Sequence, residues 1–287
     1  MKTRFEKELC LSIERMGEKS LLRDACSYAL TNGGKRLRPL LVLMIGEALG
    51  SYDVMPSALG VEFFHTASLI ADDLPCMDND ALRRGLPSLH KVFGESTAVL
   101  ASYTLIAAGY GGIYENAKVM RQLTASADAR AMECLEAATR CAGIRGATQG
   151  QFFDLFPPRL TIETVREIIY KKTVTLFEIS FLFGWLFGGG DIEKMPLLKA
   201  CASHLGMAFQ IVDDLEDGVQ DAALGRGVNM AFVLGKERAI SCFEEEVASL
   251  ERILQKLRLW TPSFQEITHN LRARQSLCLL ENSSSGG

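Results

Sequence analysis

Residues Leu69–Gly85 read LIADDLPCMDNDALRRG, and an echo, FQIVDDLEDG, returns at Phe209–Gly218. The first stretch gathers Asp72, Asp73, Asp78 and Asp80 beside Arg83 and Arg84, and the second sets Asp213, Asp214 and Asp217 behind Gln210. Strongly apolar helical sequence leads into both, which a merely solvated acidic helix end would not need. On a helix, Asp213 and Asp217 stand four apart and share a face. Pro75 ends or kinks the first helix near Asp72, so the following residues can turn back and bring Asp78 toward the same space. Carboxylates crowded in this way repel one another and favour a hard divalent cation, Mg²⁺ before most others. The adjacent arginines add an anionic ligand, such as phosphate, that shares the metal.

Outward from these two stretches the periodicity is helical rather than alternating. It predicts helices at Lys2–Gly17, Leu21–Asn32, Arg38–Leu49, Pro56–Ala71, Ser96–Met120 and Ala125–Ala142. Further helices are expected at Ile162–Tyr170, Val174–Phe187, Met195–Glu216, Lys236–Lys256 and Ser263–Glu281. Gly33-Gly34 and Gly188-Gly189-Gly190 read as helix stops. No convincing strand pair, short repeat or linker interrupts the pattern. The expected fold is all-α, a single domain over residues 1–287, with the last few residues a disordered tail. The helix Ser96–Met120 is apolar nearly all round, which suits a layer between neighbours or a subunit interface.

Composition narrows the class. With 287 residues, 48% of them apolar, the chain can bury a large core. A net charge of −4 leaves no basic footprint for nucleic acid. Eight cysteines without a C-x-x-C pair, and no secretory signal at the N-terminus, read as reduced thiols in a cytoplasmic protein. The most hydrophobic run, Leu176–Phe187, is too short for a membrane span.

Three further segments carry chemistry. Gly33–Pro39, GGKRLRP, combines two glycines that allow close backbone approach with Lys35, Arg36 and Arg38. It lacks the Walker pattern, and a basic helix N-cap region would read the same way. His65 lies two helical turns before Asp72 on nearly the same face, placed either as a core histidine or as a ligand contact. Gly150-Gln151 with Asp154 precedes Lys171-Lys172-Thr173, which opens the apolar helix and could donate to an anion with the help of the helix dipole.

Taken in order, GGKRLRP, HTASLIADDLPCMDND with its LRRG, HKVFGE at His90–Glu95, GQ-x-x-DL at Gly150–Leu155, Lys172-Thr173 and FQ-x-x-DD-x-x-D resemble the trans-isoprenyl diphosphate synthases of the farnesyl/geranylgeranyl type. The match runs over roughly residues 25 to 235. The resemblance implies an isoprenoid synthase-type helical bundle around a central apolar cavity, with the two aspartate motifs on facing helices. It implies Mg²⁺ as cofactor, three ions in number with Mn²⁺ able to substitute, held by Asp72, Asp78 and Asp213 with Asp73, Asp214 and Asp217 in direct or water-mediated support. Arg83, Lys172, Thr173 and Gln210 match contacts to an allylic diphosphate (dimethylallyl, geranyl or farnesyl). Lys35, Arg38, His65 and Arg84 match the isopentenyl diphosphate site. The implied assembly is a homodimer.

The chemistry so implied is a head-to-tail condensation. Metal and cations stabilise a departing diphosphate, and the double bond of isopentenyl diphosphate attacks the allylic cation. Some positions depart from the family's pattern. Ala71 replaces a common histidine, Ser102-Tyr103 a frequent Gly-Asp, and Val228-Asn229-Met230 fills a region where a lysine is expected. Arg226 stands where a lysine usually follows the second motif and is the candidate substrate contact there. A non-catalytic subunit of a heteromeric synthase is the alternative, although such a subunit would be expected to lose one motif. Chain length is read from Ala67 and Ser68, a little over one turn before Asp72, and from Phe63 and Phe64 one turn deeper. Ala67 is too small to stop a C15 chain and either phenylalanine could form a floor, so the product is C20 (geranylgeranyl) or C15 (farnesyl) diphosphate.

Overall fold

A computed structural model describes residues 1–50, 52–218 and 227–283 of the chain. The described residues are helical apart from short turns and one two-residue ladder, so the fold is all-α. None of their helices is long and apolar enough to cross a membrane. They form two compact units, one of Met1–Thr139 with Ile179–Ile192, the other of Arg140–Glu178 and the chain from Glu193 onward. Arg226 and the expected tail at 284–287 lie outside the described residues.

The first unit contains α1 (Lys2–Glu14), α2 (Leu21–Thr31), α3 (Leu37–Leu49), α4 (Met55–Asp72), α5 (Leu89–Phe93), α6 (Glu95–Arg121) and most of α7 (Ala127–Ala142). Ser20 caps α2 by accepting from the Arg23 amide, which satisfies one of its otherwise unpaired first-turn donors. Helix α4 opens with Pro56 in its first turn, where a missing N–H costs nothing, and ends at Asp72, three residues before Pro75. It packs along α6, and the approach is close: a side-chain carbon on Gly112 would meet the Pro56 carbonyl at 2.6 Å. Phe63 and Phe64 of α4 are buried in this layer, each contributing about 1.5–3 kcal/mol of apolar burial. The opposite side of α6 exposes Leu100, Tyr103 and Tyr114, so the helix is less evenly covered than its composition suggested.

Between α4 and α5 the chain forms a small antiparallel ladder, Leu82–Arg83 (β1) against Leu86–Pro87 (β2), where no strand pair was expected. Its two-residue turn, Arg84-Gly85, has φ of 55° and 79°; a hairpin turn with both central residues left-handed twists with its strands. The four residues are too few to leave a periodic signal in the sequence.

The second unit contains α8 (Ala147–Leu155), α9 (Ile162–Ile169), α11 (Met195–Glu216), α12 (Met230–Leu234), α13 (Lys236–Lys256) and α14 (Pro262–Ser283). A π-helical turn, Tyr170–Val174, continues α9 directly into α10 (Thr175–Phe187), whose first residues belong to this unit and whose remainder belongs to the first. Lys171-Lys172-Thr173 therefore opens no helix. The residues on both sides of it are in right-handed helical conformation, so the dipole-assisted N-terminus expected there is absent. Its replacement is a π turn, a one-residue widening that sequence periodicity does not register and that recurs at functional sites. The short helices α5, α8 and α12 were likewise missed, and α1 stops at Glu14 rather than Gly17.

Candidate active site

In the first unit the acidic turn and the basic turn are tied to α4. Below Asp72 the chain reverses, and the Asp78 amide donates to the Asp72 carbonyl at 2.9 Å, the return that Pro75 predicted. Asp73, 3% exposed, is gripped by Arg83, whose Nε donates to its Oδ1 at 2.9 Å. Arg83 Nη2 reaches both Asp73 and Asp80. Burial raises the Asp73 carboxyl against the pull of Arg83, and Asp80 and Asp78 add to the rise. Arg83 has its own burial outweighed by Asp73 and Asp80, so its charge is held more firmly than usual. The hairpin turns Arg84 the other way, onto the Gly33 carbonyl and the Asn32 side chain at the end of α2.

The GGKRLRP segment divides its cations. Lys35 is exposed. Arg36, 3% exposed, turns inward from a left-handed backbone and pairs with buried Glu62 of α4 at 2.5 Å and with Glu6 of α1 at 2.9 Å. Arg38 lies with Nη1 3.4 Å from His65 Nε2, so a proton on Nδ1 leaves Nε2 as the acceptor. Burial of the ring, then the charges of Arg38, Arg84, Arg83 and Arg36, push the His65 pKa well below the ordinary imidazole value and keep it neutral. Arg36 and Glu62 escaped the sequence reading as site residues. A lone glutamate inside the apolar run MPSALGVEFFHTASLI was the available signal for Glu62.

The product-length residues are also placed. Ala67 is buried, and Ser102 of α6 donates to its carbonyl at 3.0 Å. Ser68 is partly exposed and bonds back to the His65 carbonyl. Phe64 meets Tyr110 edge-on with ring centroids 5.0 Å apart and lies over Gly109, where a side-chain carbon would fall 2.7 Å from the ring.

In the second unit, the π turn and α11 share a hydrogen-bond chain. Thr173 Oγ1 donates to Gln210 Oε1 at 2.8 Å, and Gln210 Nε2 donates to Asp214 Oδ1 at 2.8 Å. Asp214 Oδ2 accepts from the Met230 amide at 2.7 Å, and Asn229 Nδ2 donates to the Asp214 carbonyl while capping α12. Asp214, 4% exposed, thus fastens α12 to α11. Lys172 pairs with Asp154 of α8, which approaches because Gly150 has no side chain: a carbon there would lie 2.4 Å from the Lys172 amide. Beyond the π turn, Glu178 accepts from Arg140 and from the Tyr170 hydroxyl.

Asp213, on the exposed face of α11, is paired with Arg274 of α14 at 2.5 Å. Arg274 also pairs with Glu216 and stands over the Phe209 ring, 5.4 Å from its centroid. Burial works against the Arg274 charge, but the bonds to Glu216 and Asp213 outweigh it and raise its pKa. Nothing in LRARQS singled this arginine out.

Among the described residues no three His, Cys, Asp or Glu side chains converge into a ready-made metal cage. The donors are nevertheless of the right kind. Asp72, Asp78, Asp213 and Asp217 carry hard carboxylate oxygens, the chemistry Mg²⁺ takes; Asp73, Asp214 and Asp213 are held by Arg83, by Gln210 with the Met230 amide, and by Arg274 respectively.

An all-α fold with these two acidic helix ends and a basic cluster is that of an isoprenoid synthase-type protein. The chain belongs to the polyprenyl synthetase family, whose pattern it matches over residues 19–254. It is 38% identical over 220 residues to a farnesyl diphosphate synthase of Bacillus subtilis, covering 75% of this chain and 73% of that protein. It is 37% identical over 236 residues to a putative chloroplastic geranylgeranyl pyrophosphate synthase of Arabidopsis thaliana, covering 79% of this chain and 64% of that one. The chain thus spans less than two thirds of the length of this plant relative. Among solved structures, a geranyltransferase from Legionella pneumophila superimposes with a TM-score of 0.82 at 28% identity, covering 95% and 94% of the two chains. An FPP/GFPP synthase from Zymomonas mobilis gives 0.76 at 32% identity, covering 89% and 92%.

Proposed function

We propose that the chain is a trans-prenyltransferase that condenses isopentenyl diphosphate with an allylic diphosphate to give geranylgeranyl or farnesyl diphosphate. The observation that carries this reading is the pairing on α4 of a neutral His65 beside Arg38 with the Asp72–Asp78 return two turns further on. The end of one helix and the turn that follows it so carry a basic contact for an anion and, two turns further on, the first acidic motif. The farnesyl and geranylgeranyl synthase names of the relatives support it.

Asp72, Asp78, Asp213 and Asp217 are the proposed ligands of Mg²⁺, three ions for which Mn²⁺ can substitute, with Asp73 and Asp214 supporting them from behind. When bound, the ions supply charge that stabilises the departing diphosphate. Lys172, Thr173, Gln210 and Arg83 orient the allylic diphosphate so that its carbon–oxygen bond breaks toward fixed positive charge. Lys35, Arg38, Arg84 and His65 hold the diphosphate of isopentenyl diphosphate, whose double bond then attacks the allylic cation; the new tertiary cation loses a proton from C2 to the released diphosphate, restoring a double bond. A neutral His65 accepts from Arg38 and so orients that guanidinium without adding charge. The reaction needs no side-chain nucleophile, and apolar walls keep water from the cation. Arg226 is proposed as a further diphosphate contact. The eight free thiols suit a cytoplasmic setting. Both aspartate motifs are intact, which disfavours the non-catalytic subunit.

Asp72→Ala and Asp213→Ala test the assignment. Each is expected to lower Mg²⁺-dependent turnover by about a hundredfold or more, the scale of a lost preorganised electrostatic contact. Near-wild-type turnover in either folded variant contradicts it.

A further inference from the structure

Phe209, Asp213 and Glu216 lie at i, i+4 and i+7 on α11 and so share one face. A single side chain from another helix engages all three. Arg274 donates to Asp213 at 2.5 Å, donates through Nε to Glu216 at 2.8 Å, and stands over the Phe209 ring at 5.4 Å. The neighbouring residues of α14 are committed to the core, with Leu271, Gln275 and Cys278 buried, so the guanidinium is delivered to this face by a fixed helix. An ordinary surface ion pair would need only Glu216, whose side chain is 37% exposed. Extending the fork to Asp213 places a fixed cation on the first carboxylate of the second motif.

We infer that Arg274 is a positioning residue of the metal site, competing with a divalent cation for the Asp213 carboxylate. The inference rests on the proposed reading of Asp213 as a metal ligand. Arg274 bonds Oδ1 of Asp213, so its charge opposes a second cation approaching the same carboxylate, and an ion binding Asp213 weakens or displaces the guanidinium's hold on it. Arg274 need not leave the site when this happens, because Glu216 and Phe209 still hold it beside the motif. Its charge then stays within reach of an anionic ligand carried by the ion. The arrangement lowers affinity for a metal arriving alone and favours one that arrives with a diphosphate, which the displaced guanidinium can meet.

The test is Mn²⁺ binding to the purified full chain, read from the free-ion signal in electron paramagnetic resonance, with no substrate present. Arg274→Met keeps the bulk over Phe209 and removes the charge. It is expected to bind Mn²⁺ about two- to fivefold more tightly than wild type, the equilibrium scale of one partly exposed ion pair. Its melting temperature in EDTA should lie below that of wild type, with the gap narrowing as Mn²⁺ is added. Arg274→Lys, which keeps the charge but not the fork, should fall between the two and carries the test if the methionine variant does not fold. Unchanged or weaker Mn²⁺ binding in both variants, with Asp213→Asn losing affinity, overturns the inference alone. Unchanged binding in Asp213→Asn overturns the metal-ligand reading and the inference with it.

Discussion

His65 and Glu62 sit one turn apart on α4 among the same arginines, and those arginines act on them in opposite senses. Arg36 draws Glu62 toward its charged form against a larger effect of burial, whereas Arg38, Arg84, Arg83 and Arg36 join burial in keeping His65 neutral. A histidine whose folded pKa is depressed binds fewer protons folded than unfolded, so stability falls as pH drops below the unfolded value, about 6.5. Comparing wild type with His65→Gln isolates this contribution. The difference is expected to change by at most about 1.4 kcal/mol per pH unit below 6.5 and to become independent of pH above about 7.5, as read from urea denaturation. A difference independent of pH contradicts the neutral assignment. The sequence located His65 because helical spacing alone aligns it with Asp72. It could not show that Arg36, inside the same basic motif as Arg38, turns inward, because that turn depends on a left-handed backbone and on partners 26 and 30 residues away.

At the scale of elements, the long helices were legible because their apolar periodicity and breakers agree: α4 stops where Pro75 requires and α10 where the glycines begin. The parts that aim the site were not legible. The hairpin that sends Arg83 to Asp73 and Arg84 to Gly33 spans two residues per strand, and the π turn carrying Lys172 and Thr173 differs from an α-helix by one hydrogen-bond step. Gly150 was noticed as part of GQ-x-x-DL, but its role depends on contact with a backbone 22 residues away. Gly150→Ala is expected to push α8 from the π turn, destabilising the chain by about 1–3 kcal/mol and raising the Michaelis constant for the allylic substrate more than that for isopentenyl diphosphate. Thermal melts with steady-state kinetics on both substrates check this, and an equal effect on the two substrates counts against the proposed role of the turn.

For the molecule as a whole, Leu100, Tyr103 and Tyr114 are exposed on one side of α6, and the homodimer that the family resemblance implies is expected to cover them. Light scattering at micromolar concentration is expected to give twice the 31.5 kDa chain mass, and a monomer mass counts against it. Product length brings residue, helix and chemistry together. With Ala67 small and Phe64 wedged between Gly109 and Tyr110, the wall of α4 is expected to admit a chain past C15 and stop it near Phe64. The most direct test of the account is chromatography of products from the purified chain given Mg²⁺, isopentenyl diphosphate and farnesyl diphosphate. A C20 diphosphate is expected, abolished by EDTA, shortened in Ala67→Phe and lengthened in Phe64→Ala. Failure to consume isopentenyl diphosphate with farnesyl, geranyl or dimethylallyl diphosphate would contradict the condensation itself.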